Sequence, residues 1–167
     1  MPKRAVISDY VTSLLRAETV NTCPLCVRFE GTTDQFDHHH TNLDPSVSEY
    51  WNLIRLCRAC HDDLTKFRED GTRERRVRQI KKDLFRRLVG DASYQVLVMA
   101  NALGTTSTLP ALGISLIRLE FVRVKNSNPL TVGTAKHATI VDLEITDAGR
   151  EIVRQLNIET VIPKMGK

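Results

Sequence analysis

The sequence predicts an α+β chain made of a ligand-rich N-terminal module, a basic connecting helix and a small C-terminal α+β module. Three observations lead there. All four cysteines fall in two C-x-x-C pairs, Cys23/Cys26 and Cys57/Cys60, with thirty residues between the pairs. Short apolar runs bounded by turn signals lie between the pairs, and a helical pattern follows them. After Asp91 the cysteines cease and charges thin out, and the order becomes helix, helix, strand, turn, strand, helix. The expected boundaries are 1–70, 71–90 and 91–167.

Composition narrows the class. Hydrophobic residues make up 41% of the 167 positions, enough for a core, but only 5% are aromatic, so Leu, Ile and Val must build it. A net charge of +4 and a pI near 9.0 favour a polyanionic partner. No apolar run approaches the roughly 20 residues of a membrane span, so no membrane partner is expected. Met1-Pro-Lys-Arg4 is followed by no long apolar stretch, so the expected location is the cytoplasm. In a reducing compartment, cysteines in C-x-x-C pairs argue for a metal rather than disulfides. Four thiolates close tetrahedrally on one zinc and saturate it, which makes that ion structural.

Along the chain, Ser8 fits the N-cap of a first helix with Tyr10, Val11, Leu14 and Leu15 on one face. Cys23-Pro-Leu-Cys26 is a tight knuckle. Gly31 to Asp34 reads as a turn and Gln35 to His38 as a short strand. Residues 41–48 form a loop, and Ser48 to Asn52 can begin as a helical turn. Leu53 to Leu56 fits a second strand, and Cys57 to Phe67 a helix carrying Cys60 and His61. Asp70-Gly71 breaks the chain and Thr72 can cap the next helix. There Val77, Ile80, Leu84 and Leu88 form one apolar stripe, and Gly90 closes the C-terminus.

Lys66 to Arg87 holds ten Lys and Arg against four Asp and Glu, a surplus of six, so the rest of the chain is slightly acidic. Such a helix is either a solvated face or a track for a phosphate backbone. Arg55, Arg58, Lys66, Arg68, Arg75, Arg76, Arg78, Lys81 and Lys82 are the candidate nucleic-acid contacts. Farther on, Ala92 to Leu103 reads as a buried helix, Thr105 to Thr108 as a polar cap, and Pro110 as the first turn of a helix reaching about Ile117. Leu119 to Lys125 and Ala138 to Ile145 read as strands around a turn at Asn126-Ser-Asn-Pro129. Thr146 caps a last helix with Ile152, Val153 and Leu156 inward.

A saturated zinc leaves catalysis to other residues. Asp37, His38 and His61 are suitable ligands and bases for a second, divalent cation, which would keep positions for water and phosphate. A neutral imidazole beside it can take a proton from water near neutral pH. Partly buried histidines serving packing alone are the competing explanation.

Asp37-His38, Asn52 and the segment Asn52-Leu-Ile-Arg-Leu-Cys-Arg-Ala-Cys-His61 resemble the HNH endonucleases of the ββα-metal class, in the four-cysteine zinc subgroup. The resemblance covers about residues 20–68. It implies a zinc-stapled ββα-metal module, with His38 as general base, and Asp37 and His61 as ligands of a catalytic cation. That cation would be Mg2+, with Mn2+ or Ni2+ as substitutes. Asn52 would orient the loop carrying the base. Because His38-His39-His40 is a run, a second register makes His38 a ligand and His39 the base. The implied reaction is phosphodiester hydrolysis in DNA, double-stranded above all, leaving 5′-phosphate and 3′-hydroxyl ends. Leu143 to Val153 is similar to the stretch that closes the wing in bacterial winged-helix regulators, which implies a winged-helix-like module serving packing or a homodimer as much as DNA. The competing class is a non-catalytic, zinc-stabilised DNA-binding or regulatory protein.

Overall fold

The computed structural model describes residues 5–31, 35–67, 71–132 and 135–158, without the side chains of 130–138. Most of the turn expected at Gly31–Asp34, and Arg68, lie outside the described residues. The chain divides into two units, Met1–Leu88 and Val89–Lys167.

The first unit begins with α1 (Asp9–Thr19), capped as expected by the Ser8 hydroxyl, which accepts from the Val11 amide at 3.2 Å. Strand β1 (Asp37–His40) pairs antiparallel with β2 (Leu53–Leu56), with Asp37 opposite Leu56, His38 opposite Arg55, His39 opposite Ile54 and His40 opposite Leu53. A single 3-10 turn, Tyr50–Asn52, leads into β2, and α2 (Arg58–Lys66) follows it. The first strand sits two residues later than the sequence suggests. Phe36 is buried and its amide donates to the Glu30 carboxylate at 3.1 Å, so ladder pairing starts only at Asp37.

The basic helix, α3 (Gly71–Val89), lies in this unit up to Leu88. Its Val77 and Leu84 join Cys23, Phe36, Ile54, Leu56 and Leu64 in one apolar core. Thr72 does not cap it: the helix already includes Gly71, and the Thr72 hydroxyl accepts from Arg75 Nη2 at 3.3 Å.

Lys81 requires a correction. It is fully buried, and its ammonium donates to both oxygens of Glu18 on α1, at 2.8 and 2.9 Å. The Tyr50 hydroxyl donates to the same carboxylate, and the Lys81 Nζ lies 3.5 Å from the Tyr50 ring centre. Burial lowers the Lys81 pKa to about 8 and raises that of Glu18. A lysine enclosed in this way cannot touch a nucleic acid.

The second unit runs α4 (Asp91–Leu103), β3 (Thr105–Thr108), α5 (Pro110–Arg118), β4 (Val122–Val132), β5 (Ala135–Ile145) and α6 (Asp147–Gln155). Its antiparallel sheet has the order β3-β5-β4. Thr105 to Thr108 is therefore a strand and not a cap, with Thr105 opposite Glu144 and Thr108 opposite Val141. Asn126-Ser-Asn-Pro129 is no turn either. It stays in β4, paired with Asp142 to Thr139, with an irregularity between Val124 and Asn126. As β4 is an edge strand, Pro129 can sit there without breaking the ladder. Beyond Ser127 and Val141 the β4–β5 hairpin continues without a β3 partner.

Thr146 caps α6, accepting from the Gly149 amide at 3.0 Å. A Cβ at Gly149 would lie 2.1 Å from the Phe121 carbonyl oxygen, so the helix can approach this closely only with glycine there.

Two measurements check these contacts. Lys81→Met alone, which leaves the Glu18 carboxylate buried without its cation, is expected to cost about 3–5 kcal/mol in urea unfolding. Glu18→Leu/Tyr50→Phe/Lys81→Met, which removes all three polar groups, should recover most of that; a triple variant no more stable than the single one refutes the account. Gly149→Ala is expected to destabilise the protein by roughly 1–3 kcal/mol through overpacking, although alanine is the better helix former. An unchanged melting temperature would show that the Phe121 carbonyl yields.

Candidate functional site

The cysteine pairs are brought together by two different turns. At the knuckle, the Cys23 amide donates to the Arg28 carbonyl at 2.8 Å and the Val27 amide returns to the Cys23 carbonyl at 2.8 Å, with Val27 at a φ of 55°. At the other pair, Cys57 is the N-cap position of α2 and Cys60 lies in its first turn. The four sulfurs all fall within 4.8 Å of one another, and Cys26 Sγ lies 3.5 Å from Cys57 Sγ. Sulfurs bound to one tetrahedral ion at about 2.3 Å stand about 3.8 Å apart, so the spacing fits a single metal such as zinc. The donor chemistry agrees. A hydrogen bond from the Arg28 backbone amide draws the Cys26 thiol down to about 7, while burial pushes Cys57 and Cys60 up. A cation inside the cluster would offset the burial and the crowding that oppose ionisation of all four.

The histidine run lies on β1. Alternation along a strand puts Asp37 and His39 on one face and His38 and His40 on the other. Residues opposite one another in a ladder share a face. His39, opposite Ile54, is thus on the core side, toward α2, whereas His38, opposite Arg55, is on the other. The His39 and His61 rings meet edge to face, with centres 5.7 Å apart. His38, His39, His40, His61, Leu64 and Pro45 wall a hollow of about 240 Å³. His38 also borders a separate hollow of about 580 Å³ with Arg16, Gln35 and Arg55. His61 is half-buried, and its Nδ1 lies 3.6 Å from the Asp62 carboxylate.

The loop after the histidines is organised by one amide. Asn52 has no exposed surface. Its Oδ1 accepts from the Asn42 amide at 2.8 Å and the Thr41 hydroxyl at 3.2 Å. Its Nδ2 donates to the Val47 carbonyl at 2.8 Å and the Asp44 carbonyl at 3.4 Å. Backbone polar groups in a loop without ladder partners need such acceptors and donors. Within the loop, the Ser46 hydroxyl and amide both donate to Asp44, which holds that carboxyl below its usual range.

Among the described residues, the four cysteines are the one set of three or more Cys, His, Asp or Glu with ligand atoms close enough to share an ion. Asp37 and His61 belong to no such set among the described residues.

The expected phosphate contacts divide. Arg58, Lys66, Arg75, Arg76 and Arg78 are exposed, and Lys82 is half-buried. Arg78 also donates from Nε to the Thr41 carbonyl at 3.1 Å, tying α3 to the loop. Arg55 is a second correction: it is 3% exposed, ion-paired with Glu30 and stacked over the Phe36 ring at 5.6 Å. It braces the back of the hairpin and cannot reach a strand.

Sequence reasoning missed Glu74. This α3 carboxylate is buried, and its Oε1 lies 3.7 Å from His39 Nε2. The signal was present, because Glu74 precedes Val77 by three residues and so continues the apolar stripe.

No protein-family model, curated protein or solved structure matches the chain.

Metal dependence of the fold is testable directly. Chelation of the purified protein, or Cys57→Ala, is expected to abolish cooperative melting of the first unit, because binding energy at a thiolate site is folding energy. Melting that is unchanged by strong chelators would exclude a structural metal.

Proposed function

We propose that the chain is a metal-dependent endonuclease of the HNH type that hydrolyses phosphodiester bonds in double-stranded DNA. The observation that carries this reading is the meeting of His39 with His61, strand against helix, in a hollow bordered by the loop that Asn52 braces. A strand pair followed by a helix, with a four-thiol cluster at the corner, is the arrangement expected of a zinc-stapled ββα-metal module. Zinc is the occupant the thiols suit.

Asp37 and His61 would hold the catalytic divalent cation, Mg2+ or in its place Mn2+ or Ni2+, which would supply positive charge for the phosphate oxygens. A base takes the proton from the attacking water. All three histidines of β1 line the hollow with His61, and the direct ring contact with His61 favours His39 over His38 for that role. Asn52 keeps the following loop, and with it the end of β1, in place. Arg58, Lys66, Arg75 and Arg76 offer exposed charge to a phosphate backbone without reading its sequence. In the second unit, the β4–β5 hairpin running past β3 supports the winged-helix likeness, and exposed Leu103, Leu109, Leu112 and Ile114 offer a surface for a homodimer.

Supercoiled plasmid incubated with zinc-loaded protein and Mg2+ or Mn2+ tests the reading. Wild type is expected to produce nicked or linear DNA. His39→Ala should slow cleavage about 10²–10⁴-fold, the usual share of a general base, and His38→Ala much less. A wild-type protein that cuts no DNA with any divalent cation overturns the enzyme reading.

A further inference from the structure

Glu74 stands out because it is an acid in the most basic segment of the chain, yet it is turned inward. It is 6% exposed, and the His39 it approaches is 5% exposed. Removing a carboxylate from water is unfavourable unless something in the interior answers its charge. One imidazole is near: His39 Nε2 lies 3.7 Å from Glu74 Oε1, and the His39 ring in turn meets that of His61. The helix presenting Glu74 is itself fixed at two further points. Lys81, two turns along, is locked to Glu18, and Arg78 is bonded to the Thr41 carbonyl. Thr41 directly follows the histidine run, and its hydroxyl donates to Asn52. The carboxylate is thus delivered to His39 by a rigid element, not by a mobile side chain on a loop.

A carboxylate this close to one nitrogen of an imidazole restrains the ring by charge, and so bears on where the other nitrogen points. His39 has such a partner in Glu74, and its ring meets that of His61.

We propose that Glu74 is a positioning residue of the histidine site, its buried carboxylate holding the His39 ring that faces His61. This rests on the nuclease reading for its consequence in catalysis, but not for the contact itself. Nothing in the Asp37, His38, Asn52, His61 pattern calls for a residue from α3. The helix therefore has two duties: its outer face carries cations, and its inner stripe supplies one anion to the site.

The test uses the full zinc-loaded chain and Glu74→Gln, which keeps size and polarity and removes the charge. Two readouts are taken. In imidazole nitrogen NMR, with His39 identified by its loss in His39→Gln, the His39 resonances are expected to move in Glu74→Gln while those of His38 stay. In plasmid cleavage, the turnover of Glu74→Gln should fall 10-fold or more with KM for DNA unchanged, and Glu74→Gln/His39→Ala should be no slower than His39→Ala alone. Should Glu74→Gln not fold, Glu74→Asp, which keeps the charge on a shorter arm, must show a reduced turnover with a native melting curve. Unmoved His39 resonances overturn the proposal whether or not the protein cuts DNA. Wild-type cleavage unaffected by Glu74→Gln overturns it too, and additive losses in the double variant assign Glu74 to some other task. A wild type that cuts nothing, with resonances that do move, removes the nuclease reading and leaves the Glu74–His39 contact standing.

Discussion

The closure of four sulfurs on one point is the constraint from which the first unit follows. Two residues of its apolar core, Cys23 and Cys57, are themselves members of the thiol cluster. Joining Cys23 and Cys26 to Cys57 and Cys60 closes a loop of some thirty residues, and that loop contains the histidine run, the braced turn and both strands. The strand pair has only two members, too few to stand alone in water. Its position is therefore inherited from the corner where β2 runs into Cys57 and α2 begins. Because α2 starts at the cluster, His61, one residue past Cys60, is fixed relative to β1 by the same closure.

Charge burial is the second constraint, and it falls on α3. The outer face of the helix is strongly cationic, while its inner stripe contains Glu74 and Lys81 among Val77, Leu84 and Phe85. Each buried charge meets an opposite charge or an ionisable ring from another element: Lys81 meets Glu18 of α1, and Glu74 meets His39 of β1. Buried pairs add little net stability compared with apolar residues, but a misplaced partner is heavily penalised. Such pairs suit fixing one register of a helix against its neighbours. In a helix whose apolar stripe alone would tolerate a slide, two pairs on different partners leave one arrangement.

Much of this was legible in the sequence, and the failures have identifiable causes. The knuckles, β2, the start of α2, the Ser8 and Thr146 caps and the limits of α4 and α5 follow from spacing and capping chemistry, which act over a few residues. The strand shift at Phe36, the strand at Thr105–Thr108 and the passage of β4 through Asn126-Ser-Asn-Pro129 depend on pairing with distant segments, and local turn signals give way to a ladder. Lys81 and Arg55 look like surface residues in the sequence because cations are mostly exposed. Yet Glu18, Glu74 and Lys81 all fall on the helical period of apolar neighbours: Leu15 and Glu18 on α1; Glu74, Val77, Lys81 and Leu84 on α3. A charged residue on an apolar stripe announces a buried pair. Its partner remains hidden, since Glu18 and Lys81 are 63 residues apart.

The histidine run shows why the site itself was the hardest part to read. Three identical residues in a row carry no periodicity, so composition cannot say which ring faces inward, and a one-residue slip exchanges the two faces completely. The ladder resolves it through neighbours that are not histidine. Leu56 and Ile54, opposite Asp37 and His39, belong to the core, whereas Arg55, opposite His38, is engaged by Glu30 on the other side. The buried ion pair of Arg55 thus does more than brace the hairpin. It occupies the face on which His38 lies, and the hydrophobic character of Ile54 and Leu56 turns the other face to α2. Which histidine faces α2 is therefore set by β2, a strand with no histidine in it. Substitutions that reverse the polarity of residues 54 and 55 would be expected to exchange the faces of His38 and His39.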